Sequence, residues 1–397
     1  MDSLNLIWNS IIKEVAQFQE DNGNVKNSIL GGYFLRETAF AAKLFLVQYK
    51  ITKEKKYLKR SQNALNAVLS NLKNTIKFDE PVWKPRGIGL RKGSLPATVM
   101  VFEALFETLE LMENTELYYE KNNLVDYIKS CKYNNGIFAH DEIVNKNYGG
   151  LRIKGFGVIN TSAMALYLMS EVNQREGNNI FENKLIQQTY QQILNSQRDD
   201  GLWTYVFPLF WQKAMRKLYL KIPKRYAEAL KSINNKIFKD SSIFFGDTIH
   251  HAIVIYYLLK SDSNLSDMQI NSIQKAWQFI EDKFIFLRDG SIKIDFSWEP
   301  KPISPRYCNF LDTTSYFIVL HLLNKMKCFG FISKNSDYIN GLSKYVANSL
   351  LHSNKTPCIS PYDGPEDIIA NIFPRPAESV VHKGFLISDL ILEGYDL

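Results

Sequence analysis

One pattern constrains this chain before any other. Six times, a turn or small residue, often with Thr or Ser beside it, leads into a mostly apolar stretch rich in Ala, Leu and aromatics. The six are RETAFAAKLFLVQY from Arg36, SLPATVMVFEALFETLELM from Ser94, NTSAMALYLMSEV from Asn160, GDTIHHAIVIYYLL from Gly246, LDTTSYFIVLHLL from Leu311 and ESVVHKGFLISDLIL from Glu378. Apolar residues run nearly all round each, as in a helix buried on most sides. Between them lie more polar stretches with a one-sided apolar stripe, such as KEKKYLKRSQNALNAVLSNL and NKLIQQTYQQILNSQ. Units of this kind cannot bury their faces alone, so neighbours must stack. The first helix, from about Leu4 to Phe18, has a polar face and is expected to be the sixth outer helix, pairing with the last inner one. The expected architecture is all-α: an (α/α)6 toroid of about six inner and six outer helices. No Pro/Gly/Ser-rich linker cuts the chain, so 1–397 reads as one domain.

Short glycine turns follow the outer helices: EDNG at Glu20, YNNGIF at Tyr133, RDDGLW at Arg198, RDGSIKIDFSW at Arg288 and YDGPED at Tyr362, with VWKPRGIGL at Val82 as the second unit's loop. Asp-Gly and Asn-Gly suit tight turns because they tolerate positive φ. Asn160, Asp247 and Asp312, each followed by Thr, read as helix N-caps, taking up free amide protons at a helix start.

SQRDDGLW, from Ser196 to Trp203, resembles the Q-x-x-D-G-x-W repeat of the terpenoid-cyclase and protein-prenyltransferase superfamily through Gln197, Asp200, Gly201 and Trp203. The resemblance implies a toroid of paired helices. It does not extend to that superfamily's catalytic motifs: there is no D-x-D-D acid, no D-D-x-x-D diphosphate site and no spacing that completes a zinc site around Cys308 and Asp312. The same architecture also resembles (α/α)6 carbohydrate-active hydrolases, lyases and epimerases, which share no common motif.

The four cysteines, Cys131, Cys308, Cys328 and Cys358, are scattered, which favours free thiols over a disulfide frame or a metal cluster. No cofactor and no metal are expected. The N-terminus has Asp2, Lys13 and Glu14 among its apolar residues and lacks a basic leader, so it reads as neither signal nor spanning helix. The expected location is cytoplasmic. A net charge of +7 admits acidic partners. No nucleic-acid module is recognisable, so no nucleic-acid partner is expected. One stretch, at about 204–243, interrupts the repeat. It carries an aromatic run from Phe207 to Trp211 and then Lys213, Arg216, Lys217, Lys221, Lys224 and Arg225. The readings are an extra packed helix, a lid or anion-binding segment, or peripheral membrane contact through 207–225.

In a closed ring, the loops leading into the inner helices gather at one mouth, where a ligand cleft is the default expectation. As acid or base candidates these loops carry His140, Asp141, Asp295, Glu299, Asp312 and His250. As substrate-binding candidates they carry Trp83, Arg86, Arg152, Trp203, Tyr205, Trp298, Arg306, Tyr307 and Arg375. Aromatic faces stack on sugar rings, and arginine forks grip carboxylates. Paired carboxylates suit glycoside cleavage; a His or Tyr suits proton removal beside a uronate carboxylate. Each has a plainer role. Asp312 reads as a cap, Trp203 as packing between helices, and the adjacent His250 and His251 face different ways on a helix, which leaves at least one able to point into the ring. The expected function is a carbohydrate-active hydrolase, lyase or epimerase acting on an acidic sugar or polysaccharide. The alternatives are an isoprenoid enzyme related to the terpenoid cyclases and a non-catalytic glycan-binding scaffold.

Overall fold

The computed structural model describes residues 2–27, 32–84, 87–113, 117–133, 135–143, 157–177, 180–208, 248–262, 264–295, 313–331, 335–352 and 380–395, with scattered positions between 214 and 232. The chain packs as two compact units. One is Met1–Tyr127 with Ile285–Ile294 and Phe310–Leu397; the other is Ile128–Phe284 with Asp295–Asn309. The described residues form twelve helices and two antiparallel hairpins. Most of the 204–243 insertion lies outside the described residues. Among the described residues, no helix is long and apolar enough to cross a membrane.

The first unit holds α1 (Asp2–Phe18), α2 (Leu35–Thr52), α3 (Lys55–Leu72), β1 (Phe78–Lys84), β2 (Gly87–Ser94) and α4 (Leu95–Leu111). The helix α5 (Lys121–Ser130) leads out of it. In α2 every residue from Arg36 to Gln48 is buried. Its neighbour α3 buries only Ser61, Ala64, Leu65, Val68 and Leu72, a single stripe at helical spacing. The sequence periodicity thus separates inner from outer helices.

The second unit takes in α6 (Ile159–Glu176), α7 (Asn183–Ser196), α8 (Thr248–Ser261) and α9 (Asp267–Glu281). Helices α6 and α8 pack side by side; α7 backs α6 and α9 backs α8. The hairpin β3 (Phe284–Phe286) and β4 (Ile292–Ile294) then leads the chain back to the first unit, which ends with α10 (Thr313–Cys328), α11 (Asn335–His352) and α12 (Val380–Tyr395). There α2 packs between α4 and α12, and α12 also packs on α10. Outer helix α1 lies against α12, the expected pairing of first and last helices.

Two features differ from the sequence expectation. The loop before the second inner helix, including Val82 to Leu90 of the first unit, is a β-hairpin in which Trp83 pairs with Ile88 and Lys84 with Gly87. Its glycines and Pro81 argue against a strand, but a lone two-stranded ribbon is all edge and tolerates both. Asn160 is no N-cap: α6 begins at Ile159 with Val158 in the cap position, so Asn160 sits inside the first turn.

The glycine turns are built to one plan. Gly23, Gly136 and Gly201 have φ of 89°, 79° and 95°. A Cβ on Gly23 would lie 2.2 Å from the Asn63 carbonyl oxygen, and one on Gly201 2.3 Å from that of Lys275. Four residues before these two glycines, Gln19 and Gln197 donate through Nε2 to the Arg60 and Ser272 carbonyls at 2.8 and 2.9 Å. The Gln and Gly of the repeat therefore clamp each turn onto the next outer helix. Gly201→Ala should combine left-handed strain with a backbone clash and lose about 1–3 kcal/mol or more of stability, measured by urea unfolding. An unchanged midpoint would show that the turn is not clamped.

A second element of the plan fixes the inner helices. The amide two residues past each glycine donates to the fourth residue of the next inner helix. Val25 N–H meets Thr38 Oγ1 at 3.1 Å, Phe138 N–H meets Ser162 Oγ at 2.9 Å, and Trp203 N–H meets His251 Nδ1 at 3.1 Å. The fourth residues of α4 and α10 make related bonds: Thr98 Oγ1 donates to the Ile76 carbonyl at 3.1 Å, and Tyr316 OH accepts from Ile294 N–H at 2.9 Å. Each latch fixes the rotation of its helix about its own axis.

Candidate functional site

Once the fourth residue is latched to the hairpin, the third is turned by one helical step, about 100°. In three repeats it meets the residue four past the turn glycine. In the first unit, Asn27 Nδ2 donates to Glu37 Oε1 at 3.2 Å. In the second unit, Thr161 Oγ1 lies 2.8 Å from His140 Nδ1, and the His250 ring stands edge-on to Tyr205 with centroids 4.6 Å apart. The same register recurs in three repeats.

The second unit carries the more reactive set. His140 Nε2 lies 2.5 Å from Tyr205 OH, across 65 residues of sequence. Both residues are half-buried, as is His250. The backbone holds them to one point. Val158 N–H donates to the Phe138 carbonyl at 2.8 Å, Ile159 N–H to the Tyr205 carbonyl at 3.0 Å, and Phe207 N–H to the Gly157 carbonyl at 3.1 Å. The segments bearing His140 and Tyr205 are therefore both tied to the start of α6, which brings their side chains together.

The row Thr161–His140–Tyr205 has a hydroxyl at each end of an imidazole. If Nδ1–H donates to Thr161, Nε2 accepts from the Tyr205 hydroxyl; with the other tautomer the directions reverse. Such a row can take a proton at the phenol or deliver one there. Asp141, half-buried, follows His140, and Glu142 accepts from Ser130 Oγ at 3.1 Å.

The adjacent histidines divide as helical geometry requires. His251 is buried, its Nδ1 accepting from Trp203 N–H and its Nε2 3.0 Å from the Ala276 carbonyl, so it is a neutral structural latch. Trp203, a binding candidate that also reads as packing between helices, is 1% exposed and donates through Nε1 to the Ile193 carbonyl at 2.9 Å. It packs between helices and offers no face to a sugar.

Of the remaining sequence candidates, Trp83 is in β1. Asp295 is half-buried and its amide donates to the Lys283 carbonyl at 2.7 Å. Arg86, Arg152, Trp298, Glu299, Arg306, Tyr307, Asp312 and Arg375 lie outside the described residues. Sequence reasoning passed over Thr161 and Glu37. Glu37 is wholly buried, with Arg36 Nη2 3.0 Å from its Oε1, while Arg36 Nη1 lies 3.9 Å from Glu80 Oε1. Arg91 and Ser94 also hold Glu80. The signal that finds both residues is the third position of each inner helix, read down the repeats.

The chain is similar over its full length to solved (α/α)6 toroid enzymes of carbohydrate metabolism, and this is its fold. An unsaturated glucuronyl hydrolase from Bacillus sp. GL1, responsible for the degradation of glycosaminoglycan, superposes with a TM-score of 0.58 at 10% identity, covering 98% of this chain and 96% of that one. An α-1,6-mannanase of Salegentibacter sp. HEL1_6, in complex with α-1,6-mannotriose and inactivated by replacing two consecutive aspartates, gives 0.58 at 9% identity, covering 98% of each. Cellobiose 2-epimerase from Bacillus thermoamylovorans B4167 gives 0.57 at 13% identity, covering 98% and 99%. No family model and no curated protein matches the sequence. At these identities the likeness establishes the fold alone, since one scaffold hosts many chemistries.

Proposed function

We propose that this protein is a carbohydrate-active enzyme acting on an acidic sugar or glycan, with His140 and Tyr205 moving a proton beside a sugar carboxylate. The observation that carries this reading is the 2.5 Å contact between His140 Nε2 and Tyr205 OH, with Thr161 behind Nδ1. A proton next to a uronate carboxylate is removable once a positioned base meets it, and such catalysis is worth roughly 10²–10⁴-fold. Elimination and epimerisation both need a group that can take a proton and return it. The Tyr205–His140 row supplies one. Hydrolysis would use carboxylates instead, and Asp141 and Asp295 are the described candidates. The net charge of +7 favours an anionic substrate, and the glucuronyl hydrolase among the structural neighbours acts on that chemical class by its name.

The test is a panel of oligogalacturonates, heparin oligosaccharides and neutral cello- and manno-oligosaccharides, incubated with the protein in deuterated water. Elimination gives an ultraviolet-absorbing unsaturated product. Epimerisation carries deuterium into the sugar. New reducing ends with neither signal would reassign the reaction to hydrolysis. No binding and no turnover across the panel would remove the carbohydrate reading.

A further inference from the structure

We infer that the first unit carries a self-complementary docking surface at the C-terminal ends of α2 and α4, and that its partner is a second copy of this chain. The inference is independent of the carbohydrate reading.

The first observation is backbone strain at two positions. Among the described residues, Lys53 and Glu113 alone combine a side chain with positive φ, at 59° and 58°. Each follows an inner helix, Lys53 directly after α2 and Glu113 just past α4. The same left-handed step is Gly177 after α6 and Gly330 after α10, at 61° and 67°. Glycine takes this conformation freely, whereas a side chain crowds its own backbone there. Glu113 also sets a negative charge at the negative end of a helix dipole. Folding alone therefore favours glycine at both positions, and strain of this kind points to a use outside the fold.

The second observation is the layout of charge. Arg36 at the start of α2 reaches Glu80, which accepts from Ser94, the N-cap of α4. Farther along, Lys43 of α2 reaches Glu107 of α4. The two helices pack on each other, run in one direction and finish at the same end. Past α2 stand Lys53, Lys55 and Lys59, all exposed, while Lys56 is held by Glu54. Past α4 stand Glu113 and Glu120, both exposed, with Tyr118 between them at 82% exposure. One end of the first unit therefore shows a basic corner beside an acidic one.

This layout selects the partner. An anionic surface is drawn to the lysines but repelled by the glutamates beside them. A second copy meets no such conflict. A two-fold axis across the line joining the corners sets each basic corner on the acidic corner of the other copy, so every attraction is made twice. Tyr118 supplies the large, rigid side chain that anchors such interfaces.

The test is sedimentation equilibrium of the full chain at ~20 mM and ~500 mM salt. The expected result is a reversible dimer at the lower salt that dissociates at the higher one. Lys53→Glu and Glu113→Lys each set like charges against each other twice, and each should weaken the dimer at least about tenfold. Mixed in equal amounts, the two variants should pair with each other, because every contact then joins opposite charges. Melting temperatures check that both stay folded. If either falls by several degrees, Lys59→Glu and Glu120→Lys, which lie outside the strained positions, take their place. A monomer at low salt, a dimer that ignores salt or the variants, or a mixture that stays monomeric overturns the inference.

Discussion

Tyr205→Phe is expected to reduce turnover on the responding glycan by about 10²–10⁴-fold while KM moves by less than threefold, because the phenol acts on the proton in flight and not on the bound ground state. The change deletes one oxygen from a half-buried side chain and leaves the ring edge-on to His250. His140→Gln removes the group that loads the phenol and should cost a similar factor. The double variant is expected to be hardly worse than either single one, since the two act as a unit and losses within a unit are not additive. Thr161→Val should cost less, because it frees the imidazole without removing it. Steady-state kinetics on the four variants, with melting temperatures as a folding control, decides the matter. If Tyr205→Phe keeps full turnover, the proton pathway does not pass through the phenol. If losses multiply in the double variant, the two side chains work separately.

Much of this geometry could be read from the sequence, and the rest failed for identifiable reasons. Inner helices were legible because burial on all sides leaves no polar stripe: Ala39 to Val47 carries one charged residue, Lys43. Turn glycines were legible because Asp-Gly and Asn-Gly report positive φ directly. His140 and Tyr205 could be nominated as polar residues after a turn, but their meeting could not, since it depends on backbone bonds joining Phe138, Val158 and Tyr205. Thr161 and Glu37 were missed because a threonine and a glutamate in a first helical turn look like capping chemistry. Only the latch on the fourth residue shows that the third is turned to the hairpin. The same latch explains Asn160, which resembled a cap because an Asn-Thr pair at a helix start usually is one; the helix here starts one residue earlier. Trp203 is the opposite case. Its aromatic side chain allowed sugar stacking beside the packing role that the repeat motif favours, and the repeat places it against α7 and His251.

Lys43→Met is expected to destabilise the fold by about 3–5 kcal/mol, the range found when one partner of a buried ion pair is removed. Lys43 sits in the middle of α2, 1% exposed, with Nζ 2.8 Å from Glu107 Oε2 of α4, 2.6 Å from Asp389 Oδ1 of α12 and 4.9 Å from the centre of the Phe385 ring. One cation therefore joins three inner helices. Methionine keeps the length and the ring contact but leaves two half-buried carboxylates facing each other. The pH dependence separates this charge effect from packing. Burial alone would lower the Lys43 pKa, but the charges of Asp389 and Glu107 outweigh it, and the folded value lies above the ordinary 10.5. The ion triad's contribution is thus fully present below the unfolded pKa and is lost as pH rises through the folded one. Lys43 loses its charge as pH rises through its raised folded pKa, so the gap between Lys43→Met and the unaltered protein should narrow from pH 7 to a pH well above 10.5. Urea unfolding at both values measures it. A gap of the same size at both would assign the loss to packing in α2, and a gap below about 1 kcal/mol at pH 7 would show that Lys43 does not tie the three helices together.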